Sequence, residues 1–97
     1  MNSLASDTIA RCHPDLTWSV EKSCIVLFRR ETNECIELRD HESALWDFLS
    51  RSIPRRRIIA MISSLQSSKP QSAEEWVNAK TAEWVRAGLL IQGDHRG

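Results

Sequence analysis

The hydrophobic period changes once along this chain, and that single change limits the folds open to it. From Leu16 to Arg39 apolar residues alternate with polar ones at a period of two, the repeat of half-buried strands. From Asp40 to Gly88 they recur every three to four residues, the repeat of helices buried on one side. A run of strands followed by a run of helices marks an α+β domain. The 97 residues hold one such domain, because chains divide only beyond about 250 residues.

Within the first part, Leu16, Trp18 and Val20 alternate with Thr17, Ser19 and Glu21. Lys22-Ser23 then turns the chain into Cys24–Arg29, its most β-prone segment. Glu31-Thr32-Asn33 reads as a three-residue hairpin loop, with Asn33 in the left-handed position, and Glu34–Arg39 as a third strand. Such a loop places Arg30 opposite Glu34, Phe28 opposite Ile36 and Val26 opposite Leu38. The same rule at Glu21-Lys22-Ser23 sets Val20 against Cys24 and Trp18 against Val26. The expected buried face is therefore Leu16, Trp18, Val20, Val26, Phe28, Ile36 and Leu38. The other face is mixed, with Ile25 and Leu27 beside Arg29, Cys35 and Glu37.

Asp40 suits an N-cap for a first helix from His41 to about Arg51, with Ala44, Leu45, Trp46, Phe48 and Leu49 on its apolar stripe. Pro54 fits the first turn of a second helix to about Leu65, striped by Ile58, Met61, Ile62 and Leu65. Residues 66–73 read as a polar connector. Ser72 and Glu75 form a capping-box pattern for a third helix, which ends near Ala87 with Gly88 just beyond. Leu89-Leu90-Ile91 is expected to pack back on the core. Residues 1–15 read as a flexible N-terminal arm and 92–97 as a disordered tail.

Thirteen Lys/Arg balance thirteen Asp/Glu, so no overall field draws in nucleic acid or a membrane. No apolar run approaches the roughly 20 residues that span a bilayer, and residues 1–15 lack the pattern of a signal peptide. The expectation is a cytoplasmic protein. Three cysteines, Cys12, Cys24 and Cys35, match no zinc or redox spacing and read as small apolar residues in a reducing compartment. Cys12-His13 are neighbours in sequence, which rarely makes a productive nucleophile–base pair. Gly88, Gly93 and Gly97 all lie near the end, so no glycine-rich phosphate loop exists in the body of the chain. His41 and His95 stand alone. No catalytic residue, metal ligand or cofactor is expected, and the protein is not expected to be an enzyme.

The strand Ile36-Glu37-Leu38-Arg39-Asp40 leads into Glu42-Ser43-Ala44-Leu45-Trp46-Asp47-Phe48-Leu49. After two more helices the domain closes on Trp84-Val85-Arg86-Ala87-Gly88-Leu89-Leu90. Over residues 16–91 this resembles the PqqD-like family, the precursor recognition elements (RREs) of ribosomally synthesised, modified peptides. It differs from that pattern at Arg39-Asp40, where the family's cap follows Leu directly, at Arg51-Ser52-Ile53-Pro54, which replaces an Asp-Gly, and at Trp84, which replaces a Leu. The resemblance implies a winged-helix-like fold, a three-stranded antiparallel sheet followed by a three-helix bundle. It also implies a binding module without chemistry of its own. In such domains a leader peptide adds as an extra strand to the free edge of the third strand, over a floor made by the third helix, and is presented to a modifying enzyme. Carried onto this chain, the edge is Glu34, Cys35, Ile36, Glu37, Leu38 and Arg39. The floor is the row Trp76, Lys80, Glu83 and Ala87, with Trp84 added from the adjacent row of Val77, Thr81 and Gly88, which is otherwise expected in the core. The implied partners are the precursor peptide and a peptide-modifying enzyme, with no nucleic acid or membrane, for a monomer or weak homodimer.

Charge is unevenly placed. Residues 31–50 carry Glu31, Glu34, Glu37, Asp40, Glu42 and Asp47 against Arg39, a net of −5, while residues 51–69 carry Arg51, Arg55, Arg56, Arg57 and Lys69 with no acid, a net of +5. Arg55, Arg56 and Arg57 at a helix N-terminus oppose the helix dipole. Either acids of the first helix offset them, or they dock the enzyme or another acidic partner. The competing reading is a winged-helix DNA-binding regulator. Its recognition helix would carry Glu74, Glu75 and Glu83 against Lys80 and Arg86, a net of −1 that repels phosphate.

Overall fold

The structure, a computed structural model, describes residues 10–92. In chain order its elements are β1 (Ala10–Cys12), β2 (Leu16–Val20), β3 (Cys24–Arg29), β4 (Glu34–Arg39), α1 (Asp40–Ser50), α2 (Arg55–Gln66), α3 (Pro70–Arg86) and β5 (Leu90–Gln92). Strands β2, β3 and β4 form an antiparallel sheet in that order, and β1 pairs with β5 in a second, two-stranded sheet. The expected α+β order, a three-stranded antiparallel sheet followed by three helices, is what the chain adopts.

The register of the central strand differs from the expected one. Leu27 lies opposite Trp18 on one side and Ile36 on the other, and Ile25 lies opposite Val20 and Leu38. The first turn has two residues, Lys22-Ser23, closed by Glu21 N–H donating to the Cys24 carbonyl at 2.8 Å. The second spans Arg30–Asn33 and uses Asn33 at φ 62°, with its N–H on the Arg29 carbonyl at 2.8 Å. One loop is a residue shorter than expected and the other a residue longer. β3 is thus shifted by one against both neighbours, and Ile25 and Leu27 face the core while Val26 and Phe28 face outward. Both faces of β3 are apolar, so alternation alone does not choose between them. At the sheet's β2 edge, Trp18 is 37% exposed and Val20 70% exposed.

Proline, more than side-chain caps, starts the later helices. Pro54 immediately precedes α2 and Pro70 opens α3, so Ser72 lies inside the helix and the expected capping box does not form. Asp40 does not cap α1 with its side chain. It takes the left-handed conformation, φ 52°, and its carbonyl accepts a hydrogen bond from Ser43 Oγ at 2.8 Å. All three helices end alike. A left-handed residue at Ser52, Ser67 or Gly88 lets the next N–H reach back to Phe48, Ser63 or Trp84 respectively.

Trp46 lies at the centre of the core, fully buried, edge-to-face with Trp18 at 5.5 Å and with Trp84 at 5.6 Å. These three indoles join β2, α1 and α3. Around them pack Leu16, Ile25, Leu27, Leu38, Leu45, Leu49, Ile58, Ile62, Val77, Leu89 and Leu90. Leu65, expected on the buried stripe of α2, is 50% exposed at its last turn.

The flexible arm expected over 1–15 is corrected from Ala10 onward. Ala10, Arg11 and Cys12 pair with Gln92, Ile91 and Leu90, and Ala10 is buried. His13 N–H adds a bond to the Leu89 carbonyl at 2.9 Å. A three-residue strand whose partner lies at the far end of the chain leaves no periodic trace in sequence. Residues 1–9 of that arm and 93–97 of the expected tail lie outside the described residues, while Gln92 belongs to β5.

Candidate functional site

In an antiparallel sheet, successive residues turn their backbone groups alternately to the two neighbouring strands. The Glu21–Cys24 closure therefore assigns the backbone of Cys24, Val26 and Phe28 to β2. Ile25, Leu27 and Arg29 then bond to their β4 partners Leu38, Ile36 and Glu34. What remains on β4 is the N–H and C=O of Cys35 and Glu37 and the N–H of Arg39, directed away from the sheet along an edge that pairs with no other strand among the described residues, while the Arg39 carbonyl, at the N-cap of α1, turns into the helix. The side chains divide the same way. Ile36, half-buried, and Leu38, buried, face the helices, whereas Cys35, Glu37 and Arg39 are exposed on the outer face. Glu37 and Arg39 neutralise one another at 2.8 Å there.

α3 is tied to that side of the molecule at two points. At one, the Arg29 guanidinium donates from Nη1 to the Gly88 carbonyl at 3.2 Å, from Nη2 to the Ala87 carbonyl at 3.0 Å, and from Nε to Glu34 Oε1 at 3.3 Å. A cation here also meets the negative end of the α3 dipole. At the other, just beyond β4, Lys80 Nζ donates to Glu42 Oε2 at 2.8 Å and to Glu83 Oε1 at 3.3 Å. The His41 ring stands edge-on to Trp76 at 6.4 Å. Between these ties β4 runs about 20 Å, at about 3.3 Å per residue. Bonding to Glu42 raises the Lys80 pKa above the ordinary lysine value against the opposing effect of desolvation, and the group stays charged across the neutral range.

Of the expected floor, Trp76 and Lys80 thus meet the first turn of α1 just beyond β4, Glu83 bonds to Lys80, and exposed Ala87 gives its carbonyl to Arg29. Trp84 is corrected: it is 3% exposed, shares the inner row of α3 with Val77 and Thr81, and packs on Trp46. Its bulk belongs to the core and offers nothing to a ligand. Arg29, His41 and Glu42 take part although the sequence did not single them out. Gly88 holds the one available signal, since a helix end leaves carbonyls that a cation can satisfy. No sequence interval relates Glu42 to Lys80.

The acids of the first helix do not offset the arginine run. Arg55 pairs with Glu74 of α3 at 3.0 Å, while the nearest acid of α1, Asp47, pairs with Arg51 at 3.2 Å. Arg56 and Arg57 are exposed and form no ion pair among the described residues. No group of three or more His, Cys, Asp or Glu among the described residues is placed to share a metal ion, and no helix among them is long and apolar enough to cross a membrane. Comparison with protein-family models, with curated proteins and with solved structures finds no match to the chain.

Proposed function

We propose that this protein is a non-catalytic peptide-binding module with a winged-helix-like arrangement. It captures the leader of a ribosomally synthesised precursor peptide as an added strand on β4 and holds it for a modifying enzyme. The observation that carries this reading is the edge of β4, where Cys35 and Glu37 turn their N–H and C=O groups and Arg39 its N–H outward, with no strand beside them among the described residues, while α3 is tied to the sheet and to the start of α1 at the two ends of that strand. An extended chain laid there satisfies those groups whatever its sequence, so the main chain supplies affinity. Specificity comes from alternate side chains of the peptide, which would lie beside Ile36 and Leu38 and against Trp76 and His41. The charged pair Glu37–Arg39 and the exposed Glu34 discourage pairing with another copy of the same edge.

Glu37→Pro tests the reading sharply. Its N–H points outward, so proline there removes no bond to β3, yet it takes one donor from the middle of the edge. The expected outcome is a folded variant, with its amide spectrum otherwise retained, whose affinity for leader segments of precursor peptides encoded beside it falls by about tenfold or more. A folded Glu37→Pro variant that binds such leaders normally would end the strand-addition reading. Duplex DNA serves as the parallel titration, and shifts at Arg55–Arg57 with DNA alone would favour the DNA-binding alternative.

A further inference from the structure

α2 and α3 begin side by side, and their N-terminal ends border an open groove of about 470 Å³ lined by Arg55, Arg56, Ile59, Ala60 and Pro70. Its floor is apolar, from Ile59, Ala60 and Pro70. Arg55 and Ile59, like Arg56 and Ala60, are four residues apart on α2, so each guanidinium stem lies next to an apolar neighbour. α2 has no acid in its first turn and no side-chain cap, and its positive dipole end carries three arginines, of which Glu74 neutralises only Arg55. In the free protein this arrangement is electrostatically unfavourable. A carboxylate brought in from outside relieves it.

We infer that this groove docks an acidic segment of a partner protein, with an apolar side chain on the Ile59–Ala60–Pro70 floor and flanking carboxylates at Arg56 and Arg57. The apolar floor favours a polypeptide over phosphate or nucleic acid, which would find charge there but nothing to hydrogen-bond at its centre. A second copy of this chain is disfavoured by its own chemistry. Glu34, Glu37, Glu42 and Asp47 of its acidic region are already engaged by Arg29, Arg39, Lys80 and Arg51. The surface is separate from β4, so a leader peptide and the acidic partner can be bound together.

The test is an NMR titration of the labelled full chain with a short synthetic peptide of leucines flanked by glutamates, and with a copy in which glutamine replaces every glutamate. The acidic peptide is expected to shift Arg55, Arg56, Arg57, Ile59 and Ala60, less so as salt is raised, while the glutamine copy leaves them unmoved. The double variant Arg56→Glu, Arg57→Glu is expected to bind the acidic peptide about tenfold more weakly. It is also expected to melt higher than the wild type, since carboxylates suit a helix N-terminus. Glu37→Pro should bind this peptide normally, which separates failure here from failure of the leader reading. An equal response to both peptides, a stronger response to duplex DNA, or shifts at these residues on concentrating the protein alone would each overturn the inference. A double variant that binds normally, or that melts lower, would do so too.

Discussion

The Arg29 side chain spans two secondary structures, reaching two carbonyls at the end of α3 and one carboxylate at the start of β4 while only 14% exposed. It can do so only in the observed register, where residue 29 faces inward with Leu27 and Ile25. Gly88 fits the same junction. At φ 77°, an added Cβ would both strain the backbone and touch the guanidinium at 3.5 Å. Hydrogen bonds of a charged donor contribute about 1.5–3 kcal/mol. Arg29→Gln is therefore expected to lower the unfolding free energy by about that amount in urea titrations. Arg29→Lys should recover little of it, because a lysine cannot hold both carbonyls in a fixed fork. An Arg29→Lys variant as stable as the wild type would contradict this account.

At the scale of elements, the helix ends carry the most instructive departure from ideal chemistry. α3 ends on glycine, but α1 and α2 place serines, Ser52 and Ser67, in the same left-handed conformation at φ 57° and 52°. A residue with a Cβ is disfavoured there by about 1–2 kcal/mol. Glycine removes that strain and gives back part of the gain as entropy in the unfolded chain. Ser52→Gly and Ser67→Gly should each stabilise the protein by about 0.5–1 kcal/mol, read as a raised thermal midpoint. Destabilisation by either would mean that the serine side chain matters more than its backbone. For Ser67 the competing contribution is small, because the hydroxyl that bonds back to the Ser68 carbonyl belongs to Ser63.

For the molecule as a whole, the groups that couple its parts shift in one direction. Burial pushes the Cys12 thiol of β1 from 9.0 up to about 11, and Glu42 holds the Lys80 ammonium above its ordinary value of 10.5. Both folded-state values lie above the unfolded ones, so the folded protein holds more protons through the alkaline range. The stability these groups contribute is present at neutral pH and is lost as pH rises through about 9 to 11 and beyond. Urea midpoints are expected to fall over that interval, and Cys12→Val should flatten the earlier part of the fall. A midpoint constant or rising there would contradict the assignment.

Fold class, element types and most element positions were readable along the chain, because a change of hydrophobic period is a local property that needs no knowledge of what packs where. The closing turn at Gly88 was readable for the same reason, glycine being the residue that enters the left-handed region freely. The register of β3 was not, since Ile25 and Leu27 on one face match Val26 and Phe28 on the other in hydrophobicity. Two loop lengths and the reach of Arg29 to α3 decided it. The β1–β5 pairing, the Lys80–Glu42 tie and the pairing of Arg55 with Glu74 join residues remote in sequence, whose partners exist only once the helices have packed. So does the fate of Trp84, core in place of site, which depends on the Trp46 ring already standing at the centre. Local chemistry chose the elements; packing chose which of their faces meet, and with that which backbone groups of β4 are left free.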